Sequence, residues 1–191
     1  MKKLILASSS IHRKKLLKQL KVKFTCISPD IDESRKINEN INDFVKRLSI
    51  EKTMKVAQNK NNSIIIGSDE VAVVNKKILG KPLTAKNARK QLMLISNKDV
   101  IFKTGLCVYD TDTRKKLVTV VNYRVTLRKL NKSIIEDYIS KEDILNCAAS
   151  IRMEGYAIKL VKSVKGDDPT SIIGLPLIKL TDYLITLGYL K

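Results

Sequence analysis

The sequence predicts an α/β fold, a mixed central sheet flanked by helices, with two lobes around a cleft. Three observations carry this expectation. Short apolar runs of strand character alternate with segments whose apolar residues recur at helical spacing. No linker-like, repeated or low-complexity segment divides the 191 residues, so residues 1–191 are expected to form a single domain. A chain of this length hides roughly 70% of its extended surface on folding, enough to cover a sheet on both faces.

The elements follow in order. Lys3–Ser8 reads as a short buried strand. Ser9 or Ser10 then caps a helix reaching about Leu20, with Leu16, Leu17 and Leu20 on one face. Phe24–Ser28 is a second strand, and Pro29–Asn40 a polar loop containing Asp30, Asp32 and Glu33. A second helix spans about Asn40–Gln58, with Ile41, Val45, Leu48 and Val56 at helical spacing. Ser63–Val74 is an apolar strand interrupted by Gly67-Ser68-Asp69-Glu70. A turn at Asn75 leads to Ile78-Leu79, which Gly80-Lys81-Pro82 ends. Thr84 caps a third helix to about Ile95. Val100–Tyr109 and Leu117–Leu127 form strands around the polar hairpin 110–116. A fourth helix covers about Lys132–Ser140, Glu154–Val164 alternates like a strand, and a helix follows Pro176.

Composition excludes several classes. With 43% hydrophobic and 29% charged residues the chain is neither disordered nor collagen-like. No apolar run reaches the 18 residues of a membrane span. The N-terminal apolar stretch, Leu4–Ala7, is short for a signal peptide, so a cytoplasmic location is expected. Cys26, Cys107 and Cys147 are too scattered for a disulfide framework or a CxxC metal site. His12 is the only histidine, which excludes His-rich zinc sites and any Ser-His-Asp triad that does not use it. The net charge of +18 invites a nucleic-acid reading. However, 29 of the 37 basic residues are lysines spread along the chain, Lys, Asn and Ile are abundant together, and Trp is absent. A solvated basic surface is the favoured reading, and a nucleic-acid partner is disfavoured.

Neither a GxxxxGKS/T loop nor a GxGxxG turn is present, so any phosphate site must be built otherwise. Four candidates remain. Ser8-Ser9-Ser10 with His12 and Arg13 places hydroxyls and a guanidinium where a strand meets a helix start, which suits a phosphate; a capped helix with a solvated basic face fits the same residues. Asp69 and Glu70 are adjacent carboxylates inside an apolar strand. They mark either acids held by a cation, metal or substrate, or a bulge at a sheet edge with both in water. Lys52 falls in the apolar stripe 41, 45, 48, 52, 56, either snorkelling or aimed into a cleft; Lys81, between Gly80 and Pro82, is similarly ambiguous. Cys147–Tyr156 runs from small residues to Glu154-Gly155, as a close ligand wrap or a packed turn. Glu33 is a weak signal alone.

Taken together, LILASSSIHRKKLL at 4–17, DIDES at 30–34, RLSIEKT at 47–53, GSDEVAVV at 67–74, LGKPLT at 79–84, KTGLCVY at 103–109 and SIIGLPLIKL at 171–180 resemble the Maf family of nucleoside triphosphate pyrophosphatases. The resemblance is collinear over essentially the whole chain. CAASIRMEGYAI at 147–158 and GDDPTSIIGLPLI at 166–178 look most like its YceF subgroup, associated with 7-methyl-GTP hydrolysis; sister groups prefer dTTP, UTP and related nucleotides. The resemblance implies a Maf/ITPase-like fold with a nucleotide-binding cleft and the reaction NTP + H2O → NMP + pyrophosphate. It implies that Ser8, Arg13, Lys52 and Lys81 contact phosphate, and that Asp69 is the catalytic acid or base. In the mechanism this suggests, Asp69, with help from Glu33, holds a divalent cation, Mg2+ or Mn2+, or accepts a proton from the attacking water. His12, Glu70 and Glu154 fall where the family varies with the substrate base. The chain departs from the family at Ile11, where proline is usual, at His12, where arginine or an aromatic residue is usual, and at Glu70, where glutamine is expected.

A physical argument accompanies the base assignment. Guanine offers adjacent N–H donors at N1 and N2, and N7 methylation leaves a positive charge on the purine. Carboxylates at Glu70 and Glu154 would attract that cation, while dTTP and UTP carry none. The alternatives are a Maf-type enzyme acting on dTTP, UTP or other non-standard nucleotides such as dITP or XTP, and a basic nucleic-acid-binding regulator. The sequence is compatible with a homodimer and does not fix the oligomeric state.

Overall fold

A computed structural model describes residues 2–191. The strands are β1 (Lys3–Leu6), β2 (Thr25–Cys26), β3 (Ser63–Val74), β4 (Lys77–Leu79), β5 (Asp99–Asp110), β6 (Lys116–Leu127) and β7 (Val161–Lys165). The helices are α1 (Ile11–Leu17), α2 (Ile41–Ala57), α3 (Ala85–Ile95), α4 (Lys132–Lys141) and α5 (Leu177–Thr186). The sheet runs β2-β1-β3-β5-β6-β7, with β4 on β3. β1 is parallel to both β2 and β3, whereas β3–β4 and β6–β7 are antiparallel, so the sheet is mixed as expected. The chain divides into two compact units. The first holds residues 2–70, Thr104–Val121 and Asp168–Lys191; the second holds Val71–Lys103 and Asn122–Asp167.

In the first unit, strand alternation explains why β1 and β3 are apolar on successive residues. Leu4 and Leu6 of β1, Ile64 and Ile66 of β3, and Leu106 and Val108 of β5 pack with Leu16 and Leu17 of α1 and Leu177, Leu180 and Leu184 of α5. Ile5, Ala7 and Ile65 turn the other way, onto Val56 and Ala57 of α2. A strand covered on both faces loses its polar alternation.

Helix α2 sits unusually low on this sheet. A Cβ on Gly67 would lie 2.2 Å from Thr53 Oγ1 and 2.5 Å from the Ser49 carbonyl oxygen; one on Gly105 would lie 2.2 Å from the Val45 carbonyl oxygen. The two missing side chains let the helix backbone rest against β3 and β5. Asn40 caps this helix by accepting the Asp43 N–H at 2.9 Å, and Ser10 caps α1 by accepting the Arg13 N–H at 3.3 Å.

In the second unit, β3 turns into β4 through Asn75 and Lys76, at φ 47° and 62°, the left-handed pair that a two-residue hairpin requires. Ala88, Leu92 and Ile95 of α3 and Ile135 and Tyr138 of α4 are buried. Among the described residues no helix is long and apolar enough to cross a membrane. None of the three cysteines is in a disulfide.

Three expectations need correction. The strand at 63–74 is not interrupted: Gly67–Glu70 continue its ladder, and Ser68 and Asp69 are buried rather than bulged into water. The second strand shrinks to Thr25–Cys26, both exposed, because only Ile5 and Leu6 offer it partners. Glu154–Val164 is not one strand; Tyr156–Leu160 is a 3-10 turn and only Val161–Lys165 pairs. The cause is a carboxylate. Glu142 accepts the Tyr156 N–H at 2.7 Å, which removes that donor from any ladder.

Gly67→Ala forces a methyl group into the backbone of α2. It is expected to destabilise the protein by about 3 kcal/mol, as overpacked cores do. In a chain of this size that lowers Tm by about 6–12 °C. Thermal unfolding followed by circular dichroism measures this, and an unchanged Tm would show that the close approach is dispensable.

Candidate active site

The low seat of α2 has a chemical consequence. Ile65, Gly67 and Asp69 share one face of β3, and the helix that presses on Gly67 carries Lys52. Lys52 Nζ lies 2.6 Å from Asp69 Oδ1 and 2.8 Å from Glu33 Oε1. Lys52 is 4% and Asp69 6% exposed, while the Glu33 side chain is 60% exposed. Lys52 therefore does not snorkel. An ammonium has three N–H donors, and two are engaged by carboxylates.

The loop bearing Glu33 is tied to the same helix. Arg47 Nε and NH2 donate to the two Glu39 oxygens at 2.6 and 2.9 Å, and NH2 also reaches the carbonyl of Ser34, next to Glu33, at 2.9 Å. Arg47 NH1 donates to Glu51 at 2.9 Å. The guanidinium fork holds the Glu39 carboxyl down to about 2, from an ordinary 4.5.

On the opposite face of β3, Ser68 points to a second cluster. Its hydroxyl lies 2.8 Å from both the Gly105 and Gly174 carbonyl oxygens, which share its single proton. The Gly174 carbonyl also accepts Arg13 Nε–H at 2.8 Å, and Arg13 NH1 donates to Ser8 Oγ at 3.4 Å. Ser8 Oγ in turn accepts the Ser10 N–H at 3.1 Å. Gly174 is left-handed, φ 102°, and a Cβ there would sit 3.1 Å from Arg13 Nε. Thr104 Oγ1 donates to the Ser171 carbonyl at 2.7 Å, and buried Asp168 accepts the Thr170 and Lys179 N–H groups at 3.2 and 3.1 Å. These bonds shape the turn that aims the Gly174 carbonyl at Arg13. Helix α1 has only seven residues, so what Arg13 and Ser8 offer an anion comes from their side chains, not from a long helix dipole.

The first unit thus brings Ser8 with Arg13, and Glu33 with Lys52 and Asp69. His12 is half-buried in the first turn of α1, and Glu70 is half-buried in β3. Lys81 and Glu154 belong to the second unit. Lys81 is exposed in the loop after β4. Glu154 Oε1 lies 3.8 Å from Arg152 Nε, and Arg152 NH1 donates to Glu142 at 3.1 Å. Sequence reasoning missed Arg47, Ser68, Thr104, Asp168 and Gly174. Ser68 and Thr104 carried a signal, as hydroxyls inside apolar strands.

The match to known proteins is close. The Maf-like protein family model covers residues 3–187. The chain belongs to the Maf family. A relative named 7-methyl-GTP pyrophosphatase from Pseudomonas savastanoi pv. phaseolicola is 45% identical over 188 residues, 98% of each chain. Proteins of the same name from Colwellia psychrerythraea and Methylobacillus flagellatus are each 44% identical, over 96% and 97% of this chain and 92% and 96% of their own. Among solved structures, a HAM1 protein from Coxiella burnetii shares 13% identity at a TM-score of 0.46, over 69% of this chain and 76% of its own.

Metal chemistry can be tested against the side chains. Among the described residues no three His, Cys, Asp or Glu groups gather into a ready cage. Mg2+ seldom uses one; it takes one or two carboxylates and completes its shell with water and substrate phosphate. Asp69 and Glu33, side by side on Lys52, are hard oxygen donors that fit such an ion arriving with a triphosphate.

Two stability predictions follow from this geometry. Lys52→Met leaves a buried carboxylate unpaired and is expected to cost about 3–5 kcal/mol. Lys52→Met/Asp69→Asn removes both charges and recovers at least half the loss, as read by denaturant unfolding. The Glu39–Arg47 pair gives a pH signature. A carboxyl with a lowered pKa stabilises the fold fully above its unfolded value near 4.5, and that contribution is lost as pH falls through about 2. The stability gap between wild type and Arg47→Met therefore narrows as pH is lowered across that window.

Proposed function

We propose that this chain is a nucleoside triphosphate pyrophosphatase that hydrolyses 7-methyl-GTP to 7-methyl-GMP and pyrophosphate. The observation that carries the reading is the buried Lys52–Asp69 pair with Glu33, in a chain whose near-full-length relatives bear that name. Both compact units serve one functional domain, residues 1–191. On this reading the enzyme works in the cytoplasm and removes modified nucleotides from the pool.

The chemistry follows from the charges. A triphosphate repels any nucleophile until its own charge is countered. Arg13, fixed by the Gly174 carbonyl and Ser8, and Lys81 bind phosphate oxygens. Lys52 spends two donors on orienting Asp69 and Glu33, and its third is available to phosphate. Asp69 and Glu33 would hold Mg2+ or Mn2+, which when bound supplies further charge neutralisation at the phosphates. The Asp69 carboxylate, held by Lys52 through Oδ1, takes the proton of the attacking water. A bond forms between the water oxygen and the α-phosphorus. The bond from that phosphorus to the oxygen bridging to the β-phosphate breaks, and pyrophosphate leaves with that electron pair. Ser8, the remaining phosphate-contacting residue, also steadies the Arg13 fork and accepts the Ser10 N–H at the cap of α1.

Base selection is assigned to His12, Glu70 and Glu154. The cationic 7-methylguanine gains from carboxylates in a way that dTTP and UTP do not. One charge-assisted hydrogen bond contributes about 1.5–3 kcal/mol, or about 10–100-fold in selectivity. The +18 charge supports a second reading, a nucleic-acid-binding regulator. That reading predicts tight, steeply salt-dependent duplex binding in its place.

The test is pyrophosphate release from 7-methyl-GTP, GTP, dTTP, UTP and CTP. Turnover is expected with 7-methyl-GTP foremost, lost on chelation and restored by Mg2+ or Mn2+. Asp69→Asn is expected to lower kcat at least ~100-fold if it is the base. Glu154→Gln is expected to cut the 7-methyl-GTP over GTP preference by about tenfold or more. Equal rates across the panel would remove the base assignment, and near-normal turnover of Asp69→Asn at saturating metal would remove the assignment of the base.

A further inference from the structure

Lys81 and Glu154, both in the second unit, lie on irregular chain, yet that chain is held at unusual expense. Ala149 and Ser150 are consecutive, fully buried, non-glycine residues in the left-handed region, at φ 53° and 59°. Such conformations persist only where surrounding contacts over-determine them. Here the contacts converge on one side chain. Gln91 of α3 donates from Nε2 to the Gly80 carbonyl at 3.0 Å, and its Oε1 accepts the Ser150 hydroxyl at 2.7 Å. The same Gly80 carbonyl accepts the Ala149 N–H at 3.3 Å. Gly80 is the residue before Lys81. On the other side of Lys81, the Pro82 carbonyl accepts Asn87 Nδ2–H at 3.0 Å, and the Leu83 N–H donates to the Leu145 carbonyl at 3.1 Å.

We propose that Gln91 is a positioning residue that locks the Lys81 loop to the Ala149–Ser150 turn, so that the phosphate-binding lysine and the chain leading into Glu154 are set by one amide. This rests on the pyrophosphatase reading above. An amide suits the task because it donates and accepts at once. The donor end fixes the backbone ahead of Lys81, and the acceptor end fixes the strained turn. A carboxylate keeps only the second contact and opposes the Gly80 carbonyl; a thioether keeps neither.

The variants are Gln91→Met and Gln91→Glu, with Ser150→Ala as a second way to break the clip. Misplacing a substrate-binding group by about 1 Å can cost ~100-fold. Gln91→Met is therefore expected to lower kcat/KM for 7-methyl-GTP at least ~10-fold, to reduce the preference over GTP, and to leave Tm within a few degrees. The decisive measurement is non-additivity. In a Lys81→Met/Glu154→Gln background, Gln91→Met should add no more than about a threefold further loss, since its effect runs through those two side chains. Multiplying losses, or a change below twofold in the single variant, would overturn the proposal. Hydrogen exchange separates this failure from failure of the function itself. The Ala149 and Leu83 amides should exchange faster in Gln91→Met and in Ser150→Ala than in wild type, whatever substrate the protein turns over. Unchanged exchange at both would refute the clip even in an active enzyme. Faster exchange in a protein inactive on every nucleotide would leave the clip standing and refute the pyrophosphatase.

Discussion

The buried ammonium of Lys52 is the constraint around which the first unit is organised. Taking a lysine and a carboxylate out of water costs several kcal/mol for each, and pairing them returns that cost only if the contact is close. The contact is close because α2 lies directly on β3 and β5, and it lies there because residues 67 and 105 have no side chains. A larger residue at either position would lift the helix and draw Nζ away from Asp69. In other proteins, apolar replacements for such pairs are often neutral or stabilising. The pair is therefore poorly explained as a device for stability, and well explained as a means of holding the Asp69 carboxylate in one fixed position.

Strand alternation divides the labour at the next level. Asp69 faces α2, and its neighbour Ser68 faces the turn at Gly174. One strand thus positions a carboxylate on one side and, through the Gly174 carbonyl, a guanidinium on the other. That carbonyl takes two donors, Arg13 and Ser68, which makes its direction matter more than the identity of the residues on either side. Left-handed Gly174 provides the direction. Its missing Cβ also leaves room for the Arg13 side chain, so one glycine meets a conformational and a steric need together.

Much of this architecture was legible because burial leaves periodic marks. The helices at 41–57 and 85–95, capped by Asn40 and Thr84, follow from apolar spacing and a polar cap. Asp69 and Lys52 stood out as charges in apolar stripes, and the two anomalies turned out to be partners. What was not legible depended on contacts distant in sequence. Nothing local distinguishes Arg47 from other helix arginines, and its role comes from Glu39 and Ser34 folding back over it. The alternation across 154–164 is a strand pattern by any local measure. It was overridden by the Glu142 carboxylate, which accepts the Tyr156 N–H and occupies the space a Cβ at Gly155 would need. Local pattern reports which face is buried, whereas a single long-range acceptor decides whether the backbone donors join a sheet.

Under the proposal that Glu154 helps select the base, the same Glu142 carboxylate bears on selectivity. Glu154 sits in a turn rather than on a strand, and turns are ordinarily too mobile to discriminate between bases that differ by a methyl group and a charge. This turn is braced on several sides. Glu142 holds Arg152 and Tyr156, the Tyr138 hydroxyl accepts the Arg152 N–H at 3.1 Å, and Tyr156 is tied through its own hydroxyl to Asp137 at 3.0 Å. Arg152 then lies against Glu154 itself. Under that proposal Arg152, 3.8 Å from Glu154, would compete with a cationic 7-methylguanine for the same carboxylate, and its bond to Glu142 at 3.1 Å would limit how far the guanidinium follows Glu154. The bracing of the turn by Glu142 would then matter to selectivity as much as the acidic tip itself.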